Sequence, residues 1–134
     1  MTTDTKLTQW MNWIEGEHKP EDLYDMLAEN AVFYSPVVFT GQKGRDLVMA
    51  YLTGAGDVLG GGKFTYKNTW ENENSVVLEF ETETDGMYVN GIDIITWNDE
   101  DKICELKVMI RPEKALQATK ANMMKALAAL KAAS

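Results

Sequence analysis

A chain of 134 residues, 45% hydrophobic and with a net charge of −8, is long enough to bury one core and offers no basic surface to nucleic acid or an anionic membrane. No apolar run approaches the length that spans a bilayer, Cys104 has no second cysteine to pair with, and Asp4, Lys6, Glu15 and Glu17 interrupt the apolar stretch that an export signal needs. The expectation is a single cytoplasmic domain over residues 1–134, with no nucleic-acid and no membrane partner.

Leu7, Trp10, Met11 and Ile14 fall at i, i+3, i+4 and i+7 and predict a first helix. Pro20 followed by Glu21 and Asp22 predicts a second helix start, because proline suits the first turn and acids favour the positive end of the helix dipole; Leu23, Met26 and Leu27 form its inner face. "AVFYSPVVF" reads as a short strand broken by Pro36. A third helix is expected from about Lys43 to Leu59, with Leu47, Tyr51 and Val58 inward, and the "GGGK" run stops it.

Beyond Gly62 the hydrophobic period becomes two, and four strands follow. Asp85-Gly86 predicts a tight hairpin that sets Thr84 opposite Met87, Phe80 opposite Gly91 and Leu78 opposite Asp93. A loop at Glu71–Ser75 sets Trp70 opposite Val76, Asn68 opposite Leu78 and Tyr66 opposite Phe80, and pairs Lys63 with Glu83 and Lys67 with Glu79 on the other face. If "NDED" is a four-residue loop, Trp97 faces Lys102, Ile95 faces Cys104 and Asp93 faces Leu106. A three-residue loop slips the last strand by one and sets Lys107 opposite Asp93 as an ion pair. Both registers stay open. Pro112 and Glu113 then open a closing helix over about 113–132, with Leu116, Met123, Leu127 and Leu130 as its stripe.

The first register gives an inner face on which Asp93 is the only ionisable group, in a row reading Asn68, Leu78, Asp93, Leu106. A carboxyl withdrawn from water without a cation is pushed toward its neutral form, and such groups mark binding and reacting sites. Asp93 is therefore the candidate catalytic residue, with Tyr34, Tyr66 and Asn68 as orienting groups. Ser35, Phe39, Tyr51, Trp70, Phe80, Ile95 and Trp97 are the remaining candidates for lining a ligand cavity. The outer face carries charges but also Val77, Ile92, Ile94 and Met109, an apolar island that predicts a homodimer. His18, between Glu17 and Lys19, reads as a solvated loop residue, and Cys104 as a small buried one. "GAGDVLGGGK" has no strand before it and no Ser or Thr after its lysine, so it reads as a hinge or lid instead of a phosphate loop. Asp99, Glu100 and Asp101 lack the glycine and terminal glutamate of a calcium loop and read as a wet turn. No metal site and no cofactor are expected.

The element order, with "LYDMLAENAVFYSPVVFTGQKGRDLVMAYL" and "VNGIDIITWNDEDKICELKVMIRP", resembles the nuclear-transport-factor-2-like superfamily in its SnoaL-like branch, over about Leu7 to Pro112. The resemblance implies an α+β, cystatin-like, cone-shaped barrel: a curved antiparallel sheet wrapped around N-terminal helices and an apolar cavity, here with an extra C-terminal helix, often as a dimer. It implies a small hydrophobic molecule as partner. The superfamily includes isomerases, dehydratases, epoxide hydrolases, cyclases and non-catalytic adaptors, so the fold alone does not choose among them. In the steroid isomerase of this fold a protonated Asp donates a hydrogen bond to the developing oxyanion, and Asp93 in "GIDIITWN" matches it. The base of that enzyme, an Asp before a Pro on the first strand, is matched by Ser35 in "YSP", and its helix tyrosine falls near Met11. The resemblance therefore implies no steroid isomerisation by that route. The Asp, Arg, Asp relay of limonene-epoxide hydrolases finds no inward arginine here. Two readings stay open: a cofactor-free isomerase, cyclase or lyase using Asp93 as acid or oxyanion donor, or a non-catalytic ligand-binding or dimeric interaction module.

Overall fold

The computed structural model describes residues 3–59 and 63–133, with the side chains of residues 5–54 and 63–129. Its elements run α1 (Thr3–Glu15), α2 (Pro20–Met26), β1 (Leu27–Tyr34), β2 (Gln42–Lys43), α3 (Arg45–Leu59), β3 (Thr65–Glu71), β4 (Ser75–Thr84), β5 (Met87–Trp97), β6 (Ile103–Arg111) and α4 (Glu113–Ala133). The strands form one sheet in the order β2-β1-β6-β5-β4-β3. Strands β3 to β6 pair antiparallel through short connections, whereas β1 lies parallel to β6. A parallel pair needs a long crossover, and here α3 and the whole β3 to β5 meander supply it.

The Asp85-Gly86 turn holds both residues in the left-handed region, φ 53° and 75°, as a two-residue hairpin requires. It sets Thr84 opposite Met87, Phe80 opposite Gly91 and Leu78 opposite Asp93, as the sequence predicts. Two irregularities then separate the structure from the expected pairings. In β3 the register shifts between Tyr66 and Asn68, so that Tyr66 still faces Phe80 but Asn68 meets Glu79 and Trp70 meets Val77. The extra residue turns both side chains to the outer face: Trp70 is 55% exposed and Asn68 Nδ2 donates to Glu79 Oε1 at 2.7 Å. Lys67 consequently pairs with Glu81, at 3.8 Å, and not with Glu79, while Lys63 meets Glu83 at 2.9 Å as expected.

In β6 a shift beside Trp97 sets Trp97 opposite Ile103, Ile95 opposite Leu106 and Asp93 opposite Val108. The difference from the expected register is one residue at Trp97 and two at Ile95 and Asp93; two is one full period of a strand, so Leu106 and Val108 still face inward, while Ile103 is buried and Cys104 half-buried. Lys107 lies opposite Ile94, with its ammonium 3.6 Å from Glu105. The ion pair with Asp93 is not formed. The tight "NDED" connection is shaped by Asn98, whose Oδ1 accepts the N–H groups of Glu100 and Lys102.

The helices cover one face of this sheet. Trp10 of α1, Leu23 of α2 and Val48 of α3 are buried against Phe33, Leu78, Ile95 and Leu106, and each large apolar side chain so enclosed contributes roughly 1.5–3 kcal/mol. On α3 the buried position is Val48 and not Leu47, which is 41% exposed; the helix begins at Arg45, and its turn brings Val48 to the sheet while Tyr51 packs against Phe33 at a ring distance of 5.7 Å. The other end of the sheet is closed by α4, where Ala115 is fully buried with Phe80 and Val89. The side chains of Val58 and Leu130 and the glycines of the expected hinge, Gly60 to Gly62, lie outside the described residues.

Candidate functional site

Between the sheet and the helices lies a cavity of about 470 Å³, within the size range of small-molecule sites. Its apolar wall comes from Trp10, Trp13 and Ile14 of α1, Met49 and Leu52 of α3, and Met123 of α4. The sheet contributes Tyr66, Phe80, Asp93, Leu106 and Val108. The alternation of β5 puts Gly91, Asp93 and Ile95 on this side. Gly91 is required there: a Cβ in its place sits 2.5 Å from the Phe80 ring and 2.5 Å from the carbonyl oxygen of Met109. Bare backbone at that point lets the Phe80 ring fold across β5 and form the cavity wall.

Asp93 is buried. Tyr66, the last inward residue before the β3 bulge, donates its hydroxyl proton to Asp93 Oδ2 at 2.7 Å. Trp10 Nε1 in turn donates to the Tyr66 oxygen at 3.1 Å. The three side chains come from α1, β3 and β5 and form one directed chain of hydrogen bonds. Loss of water pushes the Asp93 carboxyl up to about 6, and the Tyr66 hydrogen bond pulls it partly back. Burial, and after it the neighbouring carboxylate, hold the Tyr66 hydroxyl well above the usual phenol range. At neutral pH the pair is thus an aspartate and a neutral phenol.

Of the residues singled out from sequence, Asp93, Tyr66, Phe80 and Ser35 meet in this cavity. Ser35 Oγ accepts the Val37 N–H at 3.0 Å and shapes the turn after β1. Ile95 and Trp97 are buried in the core beside the cavity and do not line it. Tyr51 packs behind Phe33, and the Tyr34 ring lies 5.3 Å from the Lys107 ammonium on the other face of the sheet. Phe39 is fully exposed. Asn68 and Trp70 are turned outward by the bulge.

Several lining groups went unread. Trp10 belongs to the apolar stripe of α1 and Trp13 flanks it, and an indole N–H on or beside a buried face asks for a partner; this was the available signal. Phe64, Met49 and Met123 carry no such mark. His18, read as a solvated loop residue, is exposed but sits at the cavity rim with Glu15 and Pro20. Its ring lies 5.2 Å from Trp13 and its Nε2 donates to the Ile14 carbonyl oxygen. Among the described residues no group of three or more His, Cys, Asp or Glu side chains is placed to hold a metal ion, and no helix is long and apolar enough to cross a membrane.

Comparison with known proteins finds relatives of this fold. The chain is similar over 96% of its length, at 30% identity and with a TM-score of 0.89, to a steroid delta-isomerase from Pseudomonas aeruginosa, 93% of which is covered. An uncharacterised bacterial protein with a cystatin-like fold from Silicibacter pomeroyi is 26% identical, with a TM-score of 0.79 over 87% of this chain and 83% of that one. A nuclear-transport-factor-2-like protein of unknown function from Cytophaga hutchinsonii shares the fold at 19% identity, with a TM-score of 0.64 over 87% of this chain and 96% of that one. No functionally curated protein matches. The SnoaL-like domain matches residues 7–106, which take in α1 from Leu7 on, the sheet as far as Leu106 and the Trp10, Tyr66 and Asp93 chain; the protein belongs to the SnoaL-like domain family.

Proposed function

We propose that the protein binds a small, mainly apolar molecule in the cavity and moves a proton on it with Asp93, as a cofactor-free isomerase, cyclase or lyase does. One observation carries this reading: a single buried carboxyl, poised near 6, in a cavity lined mainly by apolar side chains. A proton-transfer group works best when its pKa lies near the working pH, since it is then mostly in its reactive form and still a useful base. Tyr66 is the hydrogen-bond partner of Asp93 among the described residues and engages Oδ2, which leaves Oδ1 for the ligand. Above about pH 6 that oxygen accepts a proton from the ligand, and the neutral carboxyl then returns it to a second atom. Tyr66 keeps its own proton throughout, and Trp10 keeps the Tyr66 hydroxyl aimed at Asp93. The role expected from sequence, acid or oxyanion donor, belongs to the protonated half of this cycle.

The likeness to the Pseudomonas aeruginosa isomerase supports the isomerase class. Ser35 argues for a second reading, a non-catalytic ligand-binding module, because no second carboxyl stands at that point to share the proton transfer. The test is carbon-13 NMR of Asp93 during titration with bicyclic alcohols and ketones. Binding is expected to move the Asp93 carboxyl resonance and its titration midpoint, with both changes absent in Asp93→Asn. Saturable binding that leaves the Asp93 resonance untouched sinks the catalytic reading and leaves the module.

A further inference from the structure

A hydrogen-bond census of the cavity separates donors from acceptors. Trp10 Nε1 is committed to Tyr66, and the Tyr66 hydroxyl to Asp93. The Trp13 indole N–H donates to the Lys19 carbonyl oxygen at 2.9 Å. Thr53 and Thr119 both face the cavity, yet each hydroxyl donates back along its own helix, to Met49 O and Ala115 O, at 2.8 Å. At the rim His18 gives its Nε2 proton to Ile14 O. Ser35 alone among the described lining side chains keeps an uncommitted O–H, since its oxygen accepts from Val37 N. Apart from that one hydroxyl, what remains facing the ligand is a set of oxygen lone pairs, with the free oxygen of Asp93 as the strongest acceptor. A bound ketone, an acceptor itself, meets an acceptor there. Taking an α-proton from it also builds negative charge on the carbonyl oxygen, and such charge needs donors that are free to turn toward it.

We propose that this cavity selects apolar molecules carrying a hydroxyl group over ketones of the same shape, with the hydroxyl donating to the free Oδ1 of Asp93, so that the proton Asp93 accepts comes from oxygen and not from carbon. This rests on the reading of Asp93 as the ligand-facing group. The bonds balance without a co-reactant: the ligand O–H breaks, the Asp93 O–H forms, and the electron pair left on the ligand oxygen is the nucleophile for a bond within the same molecule, whose released partner atom takes the proton back. Titratable groups sharing the cavity are Tyr66, which stays neutral, and Glu15 and His18 at the exposed rim. Asp93's strand neighbours, Leu78 on β4 and Val108 on β6, carry no charge.

The test is calorimetric titration with a matched pair, 1-tetralol and 1-tetralone, at pH 8 and pH 5. Wild type at pH 8 is expected to bind the alcohol about tenfold or more tighter, the effect of one hydrogen bond to a charged group, and the margin narrows at pH 5. The same pH arm in His18→Gln separates the rim from Asp93, and Ser35→Ala is expected to keep the preference. Asp93→Asn, whose amide offers an N–H where the free oxygen stood, is expected to turn the preference toward the ketone; if that variant does not fold, the wild-type pH arm decides. Equal binding of the two, or tighter ketone binding at pH 8, overturns the selectivity while leaving the pocket reading intact. Binding of neither overturns both.

Discussion

Asp93 sits between two opposed influences, burial and the Tyr66 hydroxyl, and burial prevails. Because its pKa is raised from 3.8 to about 6, the native state holds a proton that the unfolded chain releases. The associated stability is fully present below the unfolded pKa and is lost as pH rises through the folded one; the interval is worth on the order of 3 kcal/mol. Asp93→Asn removes that slope. We expect the variant to match wild type at pH 4 and to exceed it by roughly 1–3 kcal/mol at pH 7.5, read from urea midpoints at both pH values; a variant weaker only at pH 7.5 contradicts the desolvated carboxyl. Tyr66→Phe deletes the hydrogen bond that favours the charged form, so NMR titration should find the Asp93 midpoint above about 6, and a downward move would refute the assignment. The inward aspect of Asp93 was legible in the Asp85-Gly86 register, which set it opposite Leu78 on the face it shares with Phe80 and Ile95. Its partner was named as an orienting group, but the Trp10 link was not, because nothing in the sequence joins a helix residue to a strand 56 positions on.

The strands carried clear signals where turns were short. Asp85-Gly86 fixed one hairpin residue by residue, since its left-handed pair admits one geometry. The bulges of β3 and β6 had no such mark: an extra residue is set by how two strands fit in space and not by composition, so Asn68 and Trp70 were assigned to the wrong face. The β6 error cost little around Asp93, because a slip of two keeps Leu106 and Val108 on their side; at Trp97, where the slip is one, Ile103 takes the buried place. At Gly91 the element depends on one missing atom. Gly91→Ala must displace both the Phe80 ring and the Met109 carbonyl, and we expect destabilisation of about 1–3 kcal/mol with an unchanged denaturant slope. An unaltered urea midpoint would mean that Phe80 does not need the gap. Of the third helix, length and position were readable, but its inner face was misjudged by one residue, Leu47 for Val48.

At the scale of the whole molecule, the outer sheet face is the surface to explain. Val77, Ile92 and Ile94 lie there half-buried, Met109 is 49% exposed, and the bulge adds Trp70 beside Val77. An apolar island of this kind on an otherwise acidic protein favours self-association through that face. Light scattering at micromolar concentration is expected to give the mass of a dimer, and Ile94→Glu that of a monomer; a wild-type monomer of unchanged mass in the variant ends the idea. The edges of the same sheet tell a complementary story. One is β2, two residues long, and the other is β3, interrupted beside Lys67 by its bulge. Short strands, lysines and bulges all frustrate the addition of a further strand. The bulge that turned Trp70 outward therefore also breaks the β3 edge as a template: a strand arriving there meets no continuous row of backbone partners for the edge-to-edge ladder from which fibrils grow.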